Sequence, residues 1–239
     1  MKNALVTGGS GGIGTAICRR LAADGCHAYI HAHRGLQAAQ ALADDICAGG
    51  GSAQVLAFDV TDNAAAAAVL TPLVEREPIQ ILVNNAGIHD DVVFPGMRAE
   101  QWHRVIDVSV NGFFNVTQPL LLPMIRSRWG RIINVSSIAA LIGNRGQVNY
   151  SAAKGALNSA TKSLAQEVAS RGITVNAVAP GIIDTPMSKS AFGAQDIARM
   201  VPMKRAGTPG EVADLIGFLA STQAAYITGQ IISINGGMI

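Results

Sequence analysis

The sequence predicts one α/β domain, a Rossmann-type doubly wound parallel sheet of about seven strands with helices on both faces. Short aliphatic runs alternate with longer amphipathic stretches along the whole chain. Runs that are apolar throughout indicate strands buried on both faces, and the helices between them indicate right-handed βαβ units. A glycine-rich turn follows the first run directly, as in the first crossover of such sheets. No Pro/Ser linker and no repeat divides the chain, so we expect residues 1–239 to form a single domain.

Seven aliphatic runs are the predicted strands, and their branched side chains are typical of strands in a buried sheet. They are Ala4–Thr7, Ala28–Ala32, Gln54–Phe58, Ile81–Asn84, Arg131–Ser136, Thr174–Val178 and Ile231–Ile234.

Helical patterns fall between these strands. They cover Gly14–Asp24, Leu36–Ala48, Ala64–Glu75, Glu100–Arg126, Val148–Arg171 and Glu211–Ala220. The alanine run Ala64–Ala68 is an ordinary helix start, because Ala is the best helix former and Asp62 can cap it. The long stretch Ile182–Arg205 is expected to be a lid or binding loop with room for one internal helix.

The composition excludes several classes of protein. The chain has 18 basic and 16 acidic side chains, a net charge of +2, which gives no electrostatic footprint for nucleic acid. The chain is 49% hydrophobic and 14% charged, whereas intrinsically disordered chains combine low hydrophobicity with high net charge, so a disordered protein is excluded. Its three cysteines lack the spacing of a disulfide framework, and no apolar run has the length of a membrane span. We therefore expect a cytoplasmic protein without nucleic-acid or membrane partners.

The first predicted strand leads into a glycine-rich loop, Thr7-Gly8-Gly9-Ser10-Gly11-Gly12-Ile13-Gly14, which opens the first helix. Glycines in such a turn let the backbone approach a pyrophosphate, which then lies at the positive end of the helix. A purely structural turn would not need so many glycines. The loop therefore predicts a dinucleotide-binding site.

Three further motifs extend this prediction. Asn84-Asn85-Ala86-Gly87 ends the fourth predicted strand, Tyr150 and Lys154 form a Tyr-x-x-x-Lys pair, and Ser137 precedes that pair. Together with the glycine loop, read as Thr-Gly-x-x-x-Gly-x-Gly, they make the sequence resemble the short-chain dehydrogenase/reductase family over essentially its whole length. Asn111 matches the asparagine that completes the family's catalytic tetrad with Ser137, Tyr150 and Lys154.

Tyr150 and Lys154 are one helical turn apart and share a face of the predicted helix. A free tyrosine titrates near pH 10, and a nearby ammonium lowers the pKa of a phenol. We therefore expect Lys154 to lower the pKa of Tyr150, which can then exchange a proton with a carbonyl or alcohol oxygen.

The resemblance implies the remaining roles of the tetrad. Ser137 would hydrogen-bond the substrate oxygen, with the adjacent Ser136 as the alternative. Lys154 would also hold the nicotinamide ribose, and Asn111 would support a water relay that resupplies the proton. No His/Cys/Asp cluster has metal-ligand spacing, so we expect no catalytic metal.

The residues after the second predicted strand bear on cofactor preference. A carboxylate there would bind the 2′-hydroxyl of NAD and repel a 2′-phosphate. Ala32 takes about that position, and His33 and Arg34 follow it. A guanidinium suits a phosphate group, so NADP(H) is expected in preference to NAD(H). Gly11 stands where relatives that prefer NADP often have an arginine, so Arg34 would carry most of the phosphate contact.

The resemblance implies further cofactor contacts. Asp59 and Val60, after the third predicted strand, match the pair that holds the adenine ring. The full set implied for the cofactor is Gly8, Ser10, Gly12, Ile13, Gly14, His33, Arg34, Asp59, Val60, Asn85, Ala86, Gly87, Tyr150, Lys154, Pro180, Gly181, Ile183 and Thr185.

Within the family, the sequence is most similar to the 3-oxoacyl-[acyl-carrier-protein] reductases, in residues 143–150, 167–176, 178–181, 225–230 and 235–238. That similarity implies NADPH-dependent reduction of a 3-oxoacyl chain on acyl carrier protein, and a homotetramer built on the two longest predicted helices. Arg128 and Arg171 match the two basic positions that dock the acidic carrier. Each of them is also compatible with an ordinary solvated side chain.

Two alternatives stay open at this point. One is a related dehydrogenase that acts on a free small alcohol, sugar or steroid ketone. The other is a non-catalytic dinucleotide-binding regulator, which would need a broken tetrad. The pathway is open too, because Met187, Phe192, Met200 and Met203 of the expected lid suit an acyl chain and a packed lid equally. Fatty acid synthesis and a dedicated polyketide, polyene or storage-lipid pathway are all compatible with the sequence.

Overall fold

A computed structural model describes residues 1–186 and 193–239, and the expected lid residues Met187 and Phe192 lie outside these ranges. The strands in the described ranges are β1 (Lys2–Val6), β2 (Cys26–Ala32), β3 (Ser52–Ala57), β4 (Ile81–Asn84), β5 (Gly130–Val135), β6 (Ile173–Pro180) and β7 (Ile231–Ile234). They form one parallel sheet in the order β3-β2-β1-β4-β5-β6-β7. The predicted doubly wound parallel sheet is confirmed.

The strand order reverses between β1 and β4, and this reversal positions the functional site. Val6 of β1 pairs with Val83 of β4, so the segments that follow the two strands begin side by side. In open α/β sheets, ligands bind in the crevice at the carboxyl ends of the strands, where the order reverses.

Helices cover both faces of the sheet because the strands bury aliphatic side chains on both sides. Ile17 and Ile216 belong to the apolar cluster on one face, and Leu70 and Leu120 to the cluster on the other. The longer helices are α1 (Gly12–Ala23), α2 (Leu36–Ala48), α3 (Asn63–Arg76), α5 (Gly112–Ser127), α7 (Val148–Val168) and α9 (Pro209–Ala220). The shorter ones are α4 (Ala99–Ile106), α6 (Ala139–Ile142) and α8 (Ala194–Met200). In the part of the chain that is described, no helix is long and apolar enough to cross a bilayer.

The helix predicted over Glu100–Arg126 is interrupted. Helix α4 ends at Ile106, residues Asp107–Asn111 form a π-helical turn, and α5 begins at Gly112. The prediction of one continuous helix was wrong here, because a single π turn is set by the hydrogen-bond ladder of the folded helix and has no residue-type signal of its own. Such turns are frequent at functional sites.

The stretch Ile182–Arg205 holds one internal helix, α8, in its described part, as the sequence allowed. Its two ends meet. The N–H of Asp184 donates to the carbonyl oxygen of Gly207 at 2.8 Å, and the N–H of Gly207 donates to Ile182 at 2.9 Å. The residues at the two ends of the stretch are therefore hydrogen-bonded to each other near the carboxyl end of β6.

Candidate active site

The glycine-rich loop turns sharply between β1 and α1. Gly8 has a φ of +62°, in the left-handed region that favours glycine. Its carbonyl oxygen accepts hydrogen bonds from Gly11 N–H and Asn85 Nδ2, both at 3.1 Å. A Cβ atom on Gly14 would overlap that oxygen and lie 2.9 Å from Asn85 Nδ2. Only glycine fits at position 14 in this arrangement.

The glycine loop is joined to the Asn-Asn-Ala-Gly segment. The Thr7 hydroxyl accepts from the N–H groups of Asn85 and Ala86, each at 2.9 Å. The Asn85 amide donates to the Thr7 carbonyl oxygen at 2.9 Å. Gly11 provides no side chain to cap α1, and the first turn of the helix has no acidic residue. The first N–H groups of α1 are therefore free of side-chain caps and suited to a phosphate group.

The ends of β2 and β3 lie beside each other next to this loop. His33 and Arg34 are exposed after β2, and His33 Nδ1 lies 3.4 Å from Asp59 Oδ2. Burial opposes ionisation of Asp59, but hydrogen bonds from Thr61 and the charges of His33 and Arg34 hold its pKa below the usual value. The structure thus brings together the groups predicted to bind the adenosine end of a dinucleotide.

The segment after β6 approaches the loop from the other side. A Cβ atom on Gly12 would lie 3.1 Å from Thr185 Cγ2, and one on Gly87 would lie 3.1 Å from Lys154 Nζ. The carbonyl oxygen of Pro180 accepts from Ile138 N–H at 2.9 Å, which ties the end of β6 to the segment after β5. The predicted nucleotide residues after β1, β4 and β6 therefore border one crevice.

Ser137, Tyr150 and Lys154 lie together at the carboxyl end of β5. The Ser137 hydroxyl lies close enough to Tyr150 to act on the pKa of its phenol, and Lys154 Nζ lies 5.8 Å from the centre of the Tyr150 ring. Lys154 is 2% exposed, and its Nζ donates to the Val135 carbonyl oxygen at 2.7 Å. Ser136 is buried and donates to the Lys154 carbonyl oxygen at 3.3 Å, so Ser137 is the serine that faces Tyr150.

The expected lowering of the pKa of Tyr150 is not found. Burial raises the pKa of Tyr150, and the charge of Asp91 raises it further, against the effect of the Ser137 hydroxyl. The predicted lowering by Lys154 was therefore wrong. The ammonium of Lys154 donates to Val135, and burial lowers the pKa of Lys154 itself to about 8. Tyr150 therefore carries its proton at neutral pH, as a proton donor must.

The π-helical turn holds two candidates for the fourth position of the tetrad. Asn111 is exposed, and its amide nitrogen donates to Asp107 Oδ1 at 2.7 Å. Ser109 is 2% exposed, and among the described residues its hydroxyl has no hydrogen-bond partner. The turn packs against α7, which carries Tyr150 and Lys154. A buried hydroxyl without a partner calls for a water or ligand. Motif matching missed Ser109, because a serine inside an amphipathic pattern has no signal of its own.

Arg128 and Arg171 lie close together near the amino ends of β5 and β6. Tyr150 lies at the other end of these strands, near the carboxyl end of β5. Arg128 ends α5 and donates from its guanidinium to the Ser170 carbonyl oxygen at 3.2 Å, and Arg171 is exposed just before β6. Both precede strands whose carboxyl ends border the crevice. The six residues of β5 span about 20 Å, which separates the arginines from Ser137.

Comparisons with known proteins agree with this geometry. Residues 2–196 match the family model described as short chain dehydrogenase. The chain is 45% identical over 236 residues to the 3-oxoacyl-[acyl-carrier-protein] reductase FabG of Aggregatibacter actinomycetemcomitans, covering 98% of each chain. It is 44% identical over 240 residues to the FabG of Escherichia coli (strain K12), covering 99% of this chain and 97% of that one. It is also 43% identical over 240 residues to Nodulation protein G of Azospirillum brasilense, covering 99% and 98%.

Proposed function

The chain belongs to the short-chain dehydrogenases, and on that premise we propose that it reduces the 3-oxo group of an acyl chain on acyl carrier protein, with NADPH, in fatty acid biosynthesis. One observation carries the proposal. Ser137 and Tyr150 lie together beside buried Lys154 at the crevice of the sheet, in a chain nearly half identical over its length to reductases of that name.

The residues present fit a dinucleotide. The uncapped N-terminus of α1 suits the pyrophosphate, and the glycine cradle at Gly14 has no room for a side chain. When bound, NADPH supplies a hydride for the carbonyl carbon of the substrate. The ends of β2 and β3 would hold its adenosine end, and Lys154 beside Gly87 would hold its nicotinamide ribose.

The side chains of the chain itself supply the proton and position the substrate. The Ser137 hydroxyl hydrogen-bonds the carbonyl oxygen of the substrate, and Tyr150 donates its proton to that oxygen as the carbon is reduced. A proton must return to Tyr150, and either Asn111 or Ser109 of the π-helical turn anchors the water that carries it.

NADP(H) is the proposed cofactor, with NAD(H) as the weaker ligand. Arg34 is exposed at the end of β2, where Ala32 provides no carboxylate against a 2′-phosphate. We expect Arg34→Ala to weaken NADPH binding about tenfold and to leave NADH binding within about twofold. Arg76→Ala, at the exposed end of α3, is the control for the loss of one positive charge. Equal weakening of both nucleotides by Arg34→Ala would contradict the proposed phosphate contact.

The proposed partner is acyl carrier protein, docked on the exposed pair Arg128 and Arg171. These arginines lie about one strand length from Ser137 of the same protomer. A carrier docked there must bring its acyl chain to Ser137 at the other end of these strands, in the same protomer or in a neighbouring one of the proposed homotetramer. A cytoplasmic location is part of the same proposal.

The deciding experiment measures NADPH oxidation with acetoacetyl-carrier protein and with a panel of free small ketones, sugars and steroids. We expect kcat/KM for the carrier-bound substrate to exceed that for each free ketone by at least about 100-fold. Turnover of free ketones without turnover of the carrier substrate would establish the alternative dehydrogenase. No turnover of any substrate, with nucleotide still bound, would establish the non-catalytic regulator. Carrier substrates of graded chain length then distinguish the pathways.

A further inference from the structure

His31 is a buried histidine that contacts two separate segments of the proposed nucleotide site. It lies in β2 and is 2% exposed. Its Nδ1 accepts a hydrogen bond from the N–H of Gly8 at 3.1 Å. Its Nε2 lies 3.0 Å from the carbonyl oxygen of Phe58, the residue before Asp59, and the His31 ring packs against the ring of Phe58 with 4.1 Å between centres. One side chain thus joins the start of the glycine loop to the end of β3.

These two partners select one protonation state of the imidazole. The backbone N–H of Gly8 is a donor, so Nδ1 must present its lone pair. The carbonyl oxygen of Phe58 is an acceptor, so Nε2 must carry the hydrogen. A second proton on the ring would set two N–H groups against each other at Gly8. Burial lowers the pKa of His31 to about 4, against the hydrogen bond to Phe58, while the nearby charges of His33 and Asp59 act in opposite directions. His31 is therefore neutral near pH 7.

Hydrogen bonds fix the orientation of the backbone at Gly8, where the glycine-rich loop turns. Its φ is in the left-handed region, and its carbonyl oxygen is held by Gly11 and Asn85. With His31 on the N–H, polar groups on both sides of the Gly8 Cα are bonded within the protein. Removing the imidazole leaves that N–H without its partner and allows the turn to reorient.

We propose that neutral His31 is a positioning residue for the nucleotide, which holds Gly8 and the end of β3 in the arrangement that binds the dinucleotide. The inference rests on the proposed function, because a dinucleotide is what makes Gly8 and Asp59 parts of one site. The imidazole acts through the main chain of Gly8 and Phe58. Its removal is therefore expected to change nucleotide affinity and to leave the chemical step unchanged.

Two substitutions separate the two hydrogen bonds. In His31→Asn, the amide oxygen lies near the place of Nδ1 and can still accept from Gly8. In His31→Gln, the amide lies near the place of Nε2 and can still donate to Phe58, but the contact with Gly8 is lost. We expect the Kd for NADPH, from fluorescence titration without substrate, to rise about fivefold to tenfold in His31→Gln and to stay within about twofold in His31→Asn. Both variants lose one bond, so their melting temperatures should fall by similar amounts.

His27→Gln is the matched control. His27 lies on the same strand and also makes a side-chain hydrogen bond, from Nδ1 to Ser52 Oγ at 2.6 Å, but at the amino end of β2. Its Kd for NADPH should equal that of the wild type. The turnover number at saturating NADPH should stay within about twofold in all three variants.

Three results would overturn the inference. The first is wild-type affinity for NADPH in His31→Gln. The second is equal weakening in His31→Asn and His31→Gln in step with their melting temperatures, which would make the role merely structural. The third is a long-range ¹H–¹⁵N correlation spectrum that places the proton of wild-type His31 on Nδ1. If the wild type binds neither NADPH nor NADH, the proposed function fails. Wild-type binding with an unaffected His31→Gln variant overturns the role of His31 alone.

Discussion

The two halves of the sheet hold their functional groups by different means. In the half formed by β1, β2 and β3, the main chain of the glycine loop forms the site. In the half formed by β4, β5, β6 and β7, buried polar side chains support the site. Asn84 Nδ2 donates to Asn134 Oδ1 at 2.9 Å and to Thr117 Oγ1 at 3.0 Å. Asn134 Nδ2 donates in turn to Thr161 Oγ1 at 2.8 Å, which links β4 and β5 to the helix that carries Lys154.

This difference determines which changes each half tolerates. A site built from closely packed main chain has no room for added atoms, because its shape depends on the absence of side chains. A site built from buried polar groups fails when an atom is removed, because its partners are left unsatisfied. The first half should therefore be most sensitive to added carbon atoms and the second to the loss of single polar groups.

The largest effect is expected from the loss of one oxygen in the second half. Tyr150→Phe removes the proton donor and leaves the ring in place, so kcat should fall about 1000-fold. The Kd for NADPH should stay within about twofold, because the glycine loop is unchanged. Steady-state kinetics with the carrier substrate and fluorescence titration measure the two quantities. A variant with wild-type kcat would refute the proposed proton transfer.

An added carbon in the first half should have the next largest effect. Gly14→Ala places a methyl group against the Gly8 carbonyl oxygen, and we expect the Kd for NADPH to rise at least about 100-fold. Gly49→Ala is the matched control, because its Cβ atom would make only ordinary contacts of 3.5 Å at the end of α2. If both variants bind NADPH like the wild type, the crowding at Gly14 has no bearing on the nucleotide.

The buried ammonium of Lys154 should make the free energy of unfolding depend on pH. The pKa of Lys154 falls from its usual 10.5 to about 8 on folding, so between these pH values the unfolded chain binds more protons than the folded one. The free energy of unfolding should therefore rise with pH in that window, relative to Lys154→Met, by at most about 3 kcal/mol. Chemical denaturation of both proteins from pH 7 to 10 measures this difference. A constant difference across that range would contradict the buried, charged lysine.

The smallest effect on kcat is expected in the π-helical turn, where Ser109 and Asn111 are the two candidates for anchoring the proton relay. The burial of Ser109 leads us to expect that Ser109→Ala lowers kcat about threefold to tenfold, whereas Asn111→Ala stays within about twofold. The Kd for NADPH serves as the control, since neither residue belongs to the glycine loop. The reverse order of effects would assign the proton relay to Asn111, as the family resemblance implies.

The sequence predicted residues in both halves of the site, but not how those residues interact. The glycine loop and the Tyr-x-x-x-Lys pair follow from chemical needs at fixed spacing, and the strands Ile81–Asn84 and Ile231–Ile234 were correct to the residue. The bond between His31 and Gly8 was not predictable, because it depends on how two strands approach each other. The direction of the pKa shift of Tyr150 was also missed, because burial of a side chain is a property of the folded protein.

The π-helical turn at Asp107–Asn111 holds one residue more than the same stretch of regular α-helix would. Each residue of an α-helix advances the direction of its side chains by about 100°, and the wider π turn absorbs that advance for the extra residue. Deleting one of the five residues would therefore restore a regular helix and leave α5 facing the sheet as before, with Leu120 still in the core. What would change is the turn itself, where Ser109 and Asn111 would lose their present positions opposite α7. The packing of α5 should thus survive a one-residue deletion that displaces the polar groups of the turn.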